Sequence, residues 1–497
     1  MAPSFKFCYM RRHLVIFFPL LLFCFISCQD DNEPVLQPED SKEILITDIS
    51  GATVTNTKDI VVGSGEDDVV FEMSSTVMTE NGQVKETTLN CCAMGALCLD
   101  GNKIDDTRTV ENVTLINKGT ITIHTKDLVE RYAEQIRDEE HPDRPYLYLR
   151  ILVMYAGANS TVINEGTINV YFDHDPSTAC TVYTMGLISG EGSNIMNNGE
   201  INVYGNGSVA TRFRGIATFG DNITAINNGT MNAELDMSED TRMITTGGTN
   251  SNVINNGVMK VRMPGKVLCM TRYGDSNLIN NNVIDITSVP MPEGYKSIVG
   301  DEDYIVCGLY EPLQAMRSGM PSLVNRGTIN VNIEGSDRSE PSCQGYGMFC
   351  DLMSPKAEQL EVNIINEGLI TVSQSGPIKF NMAEVGCVSR EVGKPGACNI
   401  RLGNWLTTLR DFSQTKDLFL AKGAKIDFNG AQLKLLKGED YEIGTVYSVA
   451  PEALIYNAGK DGGFRYEYSS YKNMVIKSAD SQYTLNWDQN AMEVSLN

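Results

Sequence analysis

The amino-acid sequence predicts an all-β chain whose largest part is a parallel β-solenoid. Three observations predict it: a motif built on Asn recurs eight times, apolar residues within it alternate with period two, and the intervals between copies allow three short strands each. With 42% hydrophobic and 21% charged residues over 497 positions, the chain can bury a large core. A solenoid buries that core only when its coils stack on one another.

The eight copies read LINKGTITI, VINEGTINV, IMNNGEINV, AINNGTMNA, VINNGVMKV, LINNNVIDI, LVNRGTINV and IINEGLITV. An apolar residue lies two positions before each Asn and four and six after it, which is the spacing of strands with one buried face. Stacked asparagine side chains hydrogen-bond along the axis of such a stack. We therefore predict a structural ladder, whose members are Asn117, Asn164, Asn197, Asn227, Asn255, Asn280, Asn325 and Asn366.

The position two residues after the Asn is Gly in seven copies and Asn282 in the eighth. Gly and Asn enter the left-handed backbone region most easily, so we expect a sharp bend there with positive φ. Other glycines, including Gly157 and Gly190, lie seven residues before the Asn. One unit therefore reads as strand, Gly turn, strand, Asn-x-Gly bend and strand, and the shortest interval of 25 residues approximates a bare coil.

The first 27 residues have the pattern of a signal peptide, with three basic residues followed by an apolar run. Ser27-Cys28 at the end of that run resembles a bacterial lipobox, although Phe25 stands where Leu is usual. This resemblance implies lipidation of Cys28 and an anchor in membrane lipid. An ordinary signal peptide with an incidental cysteine is the alternative.

Residues 28–45 are acidic and contain two prolines, so we expect a flexible tether. The cluster QDDNEP behind Cys28 resembles the export signal of surface lipoproteins in the Bacteroidetes. That resemblance implies a lipid-anchored protein on the outer face of the outer membrane. The net charge of −23 argues against a nucleic-acid partner, because an extended phosphate-binding surface needs an excess of basic residues.

The N-x-G-x-I repeats resemble those of autotransporter passenger adhesins and, more broadly, the right-handed parallel β-helix of pectate-lyase-like proteins. The resemblance covers roughly residues 50–403, and we assign residues 46–403 to the β-helix. VTNTKDIVV, which contains Asn56, and NIRLGNWLT fit degenerate end coils. Residues 404–497 lose the motif, show short alternating runs and resemble the C-terminal cap of such passengers. We expect antiparallel β structure there, since an open solenoid end exposes unpaired strand edges.

The interval between Asn117 and Asn164 carries the longest insertion. Within it, Leu128, Tyr132 and Ile136 follow helical spacing and Pro142 ends the run. We predict a short helical insertion there, packed on the coil or acting as a lid over a ligand.

Residues 171–175 (YFDHD) bring two acids and a histidine together just after a strand. Asp173, His174 and Asp175 are therefore weak catalytic candidates, with the two carboxylates able to hold calcium. Arg212 or Arg214 would then act as the base that removes a proton next to a uronate carboxyl group. The alternative is an exposed polar loop without chemistry. No other metal or cofactor is expected.

Ten cysteines remain after Cys8, Cys24 and Cys28 are set aside, without the spacing of a small disulfide framework. Several lie in apolar or glycine-rich runs and are expected to be buried free thiols: Cys180, Cys269, Cys307, Cys350 and Cys387. Cys91, Cys92 and Cys98 lack a nearby fourth ligand for zinc.

These features predict a lipid-anchored, non-enzymatic cell-surface β-helix that contacts glycans or a host surface. A polysaccharide lyase or glycoside hydrolase on the same fold is the alternative, and a purely structural envelope protein is a third. The chain has no G-x-S-x-G, P-loop or H-E-x-x-H signature.

Overall fold

The computed structural model describes residues 45–64, 68–79, 82–105, 107–137, 141–178, 180–207, 211–272, 276–290, 304–313, 322–334, 343–352, 361–375, 381–389 and 397–402. Beyond these it describes residues 405–406, 418–420, 425–427, 432–435, 446–448, 468–469, 475–478, 485–488 and 493–496. Cys28 and tether residues 28–44 lie outside the described residues, whereas Leu45, the last position of the predicted tether, begins the first described strand.

Three long sheets dominate the described part of the chain, with 14, 12 and 12 strands. The strands of the first sheet are Leu45–Thr47, Val70–Thr79, Gly82–Ala96, Leu99–Asp100, Lys103–Ile104, Leu149–Tyr155, Val182–Ser189, Thr211–Phe219, Asp240–Gly247, Lys266–Arg272, Tyr304–Leu313, Cys343–Leu352, Asn381–Ser389 and Leu418–Leu420. Its neighbours pair in parallel, apart from the hairpins at its N-terminal edge.

The second and third sheets consist of short parallel strands. The second contains Thr53–Asn56, Thr114–Asn117, Thr161–Asn164, Asn194–Asn197, Thr224–Asn227, Asn252–Asn255, Asn277–Asn280, Ser322–Asn325, Glu361–Asn366, Ala397–Leu402, Lys425–Asp427 and Tyr468–Ser469. The third contains Asp59–Val62, Thr120–His124, Thr167–Phe172, Glu200–Gly205, Thr230–Leu235, Val258–Met263, Val283–Ser288, Thr328–Glu334, Leu369–Ser375, Trp405–Leu406, Gln432–Leu435 and Val475–Ser478.

Each coil contributes one strand to each sheet, in the order that the repeat predicts. The strand Thr161–Asn164, for example, pairs in register with Thr114–Asn117 before it and Asn194–Asn197 after it. Inward side chains such as Ile168 and Val170 are fully buried and pack into one continuous core. The parallel β-helix predicted from the sequence is thereby confirmed.

The motif asparagines form the ladder expected of them. Nδ2 of each Asn donates to Oδ1 of the Asn one coil further on, at 2.7 to 2.9 Å, from Asn56 through to Asn366. All are buried. Asn56 begins the ladder, so the degenerate first coil stacks like the others.

The motif glycines are required for a different reason from the one the sequence suggested. None of the motif glycines has positive φ. Positive φ occurs instead in the turn between the first and second sheets, for example at Asn112, Asn159, Asn222 and Asn250. At Gly229 an added Cβ would instead overlap the carbonyl oxygen of Gly199 in the preceding coil. The expectation of positive φ at the bend was therefore wrong, and close stacking of coils explains the glycine.

The insertion after Thr120–His124 contains the α-helix Lys126–Tyr132, followed by the 3₁₀ turn Ala133–Gln135. Leu128 and Val129 bury this helix against the core. Ile136 is also buried but extended, and it bridges to Tyr146. The predicted helix is present and ends one turn earlier than the spacing indicated. Among the described residues, no helix is long and apolar enough to cross a membrane.

Past residue 403 some of the described strands pair in parallel and others pair antiparallel. Lys425–Asp427 and Gln432–Leu435 continue the second and third sheets in parallel. Val446–Ser448, Leu485–Asp488 and Glu493–Leu496 form a separate antiparallel sheet. The coils thus extend beyond the position at which the motif disappears, and the antiparallel element follows them.

Six cysteines have side chains that the structure describes. These six are buried and free: Cys91, Cys92, Cys98, Cys180, Cys269 and Cys307. Burial raises the pKa of Cys92 and of Cys180 to about 12. Cys350 and Cys387 occupy paired register positions on adjacent strands.

Candidate functional site

Asp173, at the end of a third-sheet strand, holds the start of the helical insertion. Its Oδ1 accepts the backbone N–H groups of Thr125 and Lys126 at 2.9 and 2.8 Å, and its Oδ2 lies 2.7 Å from Nδ1 of His124. Burial raises the pKa of Asp173, but the bonds from His124 and Lys126 outweigh burial and lower it overall. Its carboxylate is thus engaged by the protein.

His174 and Asp175 turn to other partners. His174 is buried, with Nδ1 2.8 Å from Oγ1 of Thr125, and burial lowers its pKa. Asp175 accepts both the backbone N–H and the hydroxyl of Ser177, which makes a local turn. Throughout the described residues, no group of three His, Cys, Asp or Glu side chains is arranged to hold a metal ion.

Arg212 and Arg214 lie elsewhere, on the outer side of a first-sheet strand. Arg214 Nη2 donates to Asp240 Oδ2 at 2.8 Å, and Arg242 donates to the same carboxylate through Nη2 at 2.7 Å and Nε at 3.1 Å. All three side chains are nearly buried. Burial raises the pKa of Asp240, but the two guanidinium groups outweigh it and hold the pKa well below its usual range.

Partly exposed groups surround this buried centre. Arg212 binds both carboxylate oxygens of Glu239 at 2.7 Å, a bidentate pair that raises the pKa of Arg212. The ring of Tyr183 lies 5.4 Å from Cζ of Arg214 and meets the ring of Tyr148 edge-on at 5.9 Å. The aromatic and cationic groups therefore form one continuous surface.

Register explains why these residues meet. Tyr183, Arg212, Asp240 and Lys266 are consecutive partners across four adjacent strands, and Arg150 precedes Tyr183 in the same row. Arg214 pairs with Arg242 in the next row. The coils thus bring together residues that lie more than a hundred positions apart in sequence.

Lys266 closes the row and differs from the arginines. Burial lowers its pKa, the positive charges of Arg242 and Arg214 lower it further, and Asp240 partly offsets them. A lysine in such a setting loses its proton more readily than an exposed one.

We call this surface the arginine face, formed by Arg150, Arg212, Arg214, Arg242 and Lys266 with Glu239 and Asp240. Its five basic groups oppose two carboxylates, which leaves three positive charges in excess on a chain whose net charge is −23. Tyr148 and Tyr183 border it. A surface of this composition can bind a carboxylate or sulfate and stack a sugar ring beside it.

Residues 35–230 match the family model of the BigA third pectate lyase-like domain. This part of the chain is therefore similar to a pectate lyase-like β-helix, in agreement with the three parallel sheets. The matched region includes Asp173, His174, Arg212 and Arg214, while Lys266 lies beyond it. No curated protein and no solved structure matches the chain significantly.

The repeat carried a signal for Asp240 and Arg242, the partners of Arg212 and Arg214 that sequence reasoning missed. Arg212 and Asp240 each stand 15 positions before a ladder Asn, and Arg214 and Arg242 each stand 13 before it. Charges at matching positions of two successive apolar strands indicate an outward-facing row. Lys266 falls 14 positions before Asn280 in a shorter coil, so only the strand register assigns it to this row.

Proposed function

We propose that the protein is a non-enzymatic β-helix that binds acidic glycans at the arginine face. The observation that carries this proposal is the local excess of positive charge beside Tyr148 and Tyr183 on a strongly acidic chain. Arg212 and Lys266 are partly exposed, so they can reach a ligand, whereas Arg214 and Arg242 are held by Asp240. The buried centre would fix the geometry, and the exposed cations would contact the sugar acid.

This proposal is tested by titrating the purified protein with polygalacturonate, alginate and a sulfated glycan. We expect Arg212→Gln to weaken binding about tenfold, equivalent to about 1.4 kcal/mol, and salt to weaken wild-type binding because partly exposed charges are screened. Arg326→Gln is the matched control. Arg326 also pairs with a glutamate, but it follows a strand of the second sheet and lies outside the arginine face. Equal binding by wild type and Arg212→Gln would contradict the proposal.

Lys266 supports a second candidate, a polysaccharide lyase on the same face. Lyases remove the proton next to a uronate carboxyl group, which requires cations to neutralise the carboxylate and a base to take the proton. Lys266, whose pKa is lowered by burial and by the neighbouring guanidinium groups, is suited to act as the base that takes this proton. Arg212 would then neutralise the carboxylate of the uronate substrate.

Release of unsaturated uronate separates the two functions. A lyase predicts turnover of an acidic polysaccharide that Lys266→Met abolishes, with binding largely retained. A binding protein predicts ligand affinity with no product at any pH. Asp173→Ala serves as the control, because Asp173 holds the helical insertion instead of this face.

We further propose that Cys28 carries a lipid that anchors the protein in the outer membrane, exposed at the cell surface. The Ser27-Cys28 pair behind an apolar run, followed by QDDNEP, supports this. Cys28→Ala should shift the protein from the membrane fraction to the soluble fraction. Protease treatment of intact cells should remove the wild-type protein. Full protection would instead place the protein on the inner face of the outer membrane.

A further inference from the structure

The outer side of the second sheet carries a second surface, separate from the arginine face. We call it the amide face. Its twelve outward side chains come from four successive coils and are Asn194, Met196, Asn198, Thr224, Ile226, Asn228, Asn252, Ile254, Asn256, Asn277, Ile279 and Asn281. The strands that carry them pair residue by residue in register, so equivalent side chains form straight rows along the axis.

One edge of the amide face is an exposed ladder of asparagines. Asn228 donates to Asn198, Asn256 to Asn228 and Asn281 to Asn256, at 2.8 to 2.9 Å. The other edge holds a further amide pair, Asn277 to Asn252, at 3.0 Å. An inner ladder amide uses one of its two N–H groups and one acceptor site on its neighbours, so it keeps a donor and an acceptor for a ligand.

Between these edges runs an aliphatic row of Met196, Ile226, Ile254 and Ile279. All four are partly exposed, although the chain has a large core in which such residues are usually buried. The row is flanked by hydroxyl or amide groups on both sides. The face therefore presents an apolar stripe between two hydrogen-bonding rows, repeated at the spacing of the coils, about 4.8 Å.

No charged side chain belongs to the amide face, on a chain with 63 acidic and 40 basic residues. Charges occur in the ladder row only outside it: Glu165 pairs with Lys118 at one end, and Arg326 with Glu367 at the other. The neutral stretch is thus bounded by ion pairs. It contains no cation to hold an anionic ligand and no carboxylate to hold a cationic one.

We infer that the amide face binds a neutral polysaccharide chain laid along the coil axis. The C–H faces of sugar rings match the aliphatic row, and hydroxyl groups at the ring edges match the amides. A nucleic acid or an anionic lipid surface is repelled by the net charge of −23. A second copy is opposed by the same charge on both partners. The inference is independent of the arginine face.

The experiment is a sedimentation assay of the purified protein with insoluble cellulose, chitin and curdlan. We expect retention on at least one of them that persists at high salt, because no charge takes part. The double variant Ile226→Glu with Ile254→Glu should lower the retained fraction at least tenfold. Asn228→Asp, a smaller change, should lower it severalfold. Val61→Glu is the matched control, since Val61 is an exposed outward residue of the third sheet.

Absence of binding to all three polysaccharides would overturn the inference, as would equal retention of the double variant with an unchanged melting temperature. A dimer seen by analytical ultracentrifugation and lost in the double variant would identify a second copy as the occupant and would also overturn it. Arg212→Gln separates the two proposals: it should leave retention on neutral polysaccharide unchanged while weakening binding of acidic glycans.

Discussion

Oδ2 of Asp240 lies 2.7 Å from Nη2 of Arg242, two positions further along the same strand. The same oxygen accepts Arg214 from the adjacent coil. One carboxylate thereby holds two nearly buried guanidinium groups on the outer side of the first sheet. Removing it would take the shared carboxylate away from two nearly buried positive charges that lie close together.

Asp240→Asn should therefore lower the free energy of unfolding by about 3 kcal/mol. The variant keeps the shape of the side chain, so the loss measures the missing charge. Urea denaturation followed by circular dichroism gives the value. Glu239→Gln is the control, because the pair between Glu239 and Arg212 is partly exposed and should cost less than about 1 kcal/mol. Equal losses of unfolding free energy in the two variants would show that burial does not increase the cost of removing the carboxylate charge.

Stability at acid pH should depend on Asp240 as well. Its pKa is lower in the folded protein than in the unfolded chain, so its contribution is present above the unfolded value of about 4 and is lost as pH falls through the folded value. Wild type should lose stability more steeply than Asp240→Asn below about pH 4. Parallel pH profiles of the two proteins would contradict the lowered pKa.

The buried asparagine ladder should contribute far more than the exposed one. Asn227→Ala removes one acceptor of Nδ2 of Asn197 and one donor to Oδ1 of Asn255, both inside the coil. Among the described residues, Asn197 then keeps only the Thr230 carbonyl as acceptor, and Asn255 keeps only the N–H of Gly257 as donor. We expect a loss of about 3 kcal/mol in the free energy of unfolding. Asn228→Ala removes the adjacent exposed amide and should cost less than about 0.5 kcal/mol. A similar cost for both variants would contradict the larger contribution that we assign to the buried hydrogen bonds.

Gly229→Ala tests whether stacking requires glycine at the bend. The added methyl group would overlap the carbonyl oxygen of Gly199, and backbone cannot move aside cheaply, so we expect a loss of about 3 kcal/mol. At Gly247 the nearest atom to an added Cβ, the Thr218 carbonyl oxygen, lies 3.8 Å away. Gly247→Ala should therefore be close to neutral when both variants are compared by urea denaturation. Tolerance of Gly229→Ala would show that the stacked coils have room for a methyl group and would contradict the requirement for glycine at the bend.

His174 should make the protein less stable in mild acid. Burial lowers its pKa despite Asp173 and Asp175, so the unfolded chain takes up the proton first as pH falls below about 6.5. The free energy of unfolding should decline from that pH downward, until His174 also titrates in the folded state. His174→Gln should flatten this decline between pH 7 and 5. An unchanged decline in His174→Gln over the same pH range would contradict this prediction.

The sequence by itself determined the coil. The Asn-x-Gly spacing predicted which strands stack and which amides form the ladder, because a periodic pattern repeats the same local geometry in every coil. It also indicated the helical insertion, although Ile136 continues its spacing and is extended, since it bridges to Tyr146.

Tertiary structure decided the sites. Asp173, His174 and Asp175 are adjacent in sequence, yet one holds a helix start, one is buried and one closes a turn, because consecutive residues at a strand end point in different directions. Arg214 and Asp240 are 26 residues apart and meet diagonally, because strand register places Asp240 beside Arg212 and Arg242 beside Arg214 on adjacent strands. Spacing along the chain specified how each coil is built, but only the register between coils specified which charges face one another.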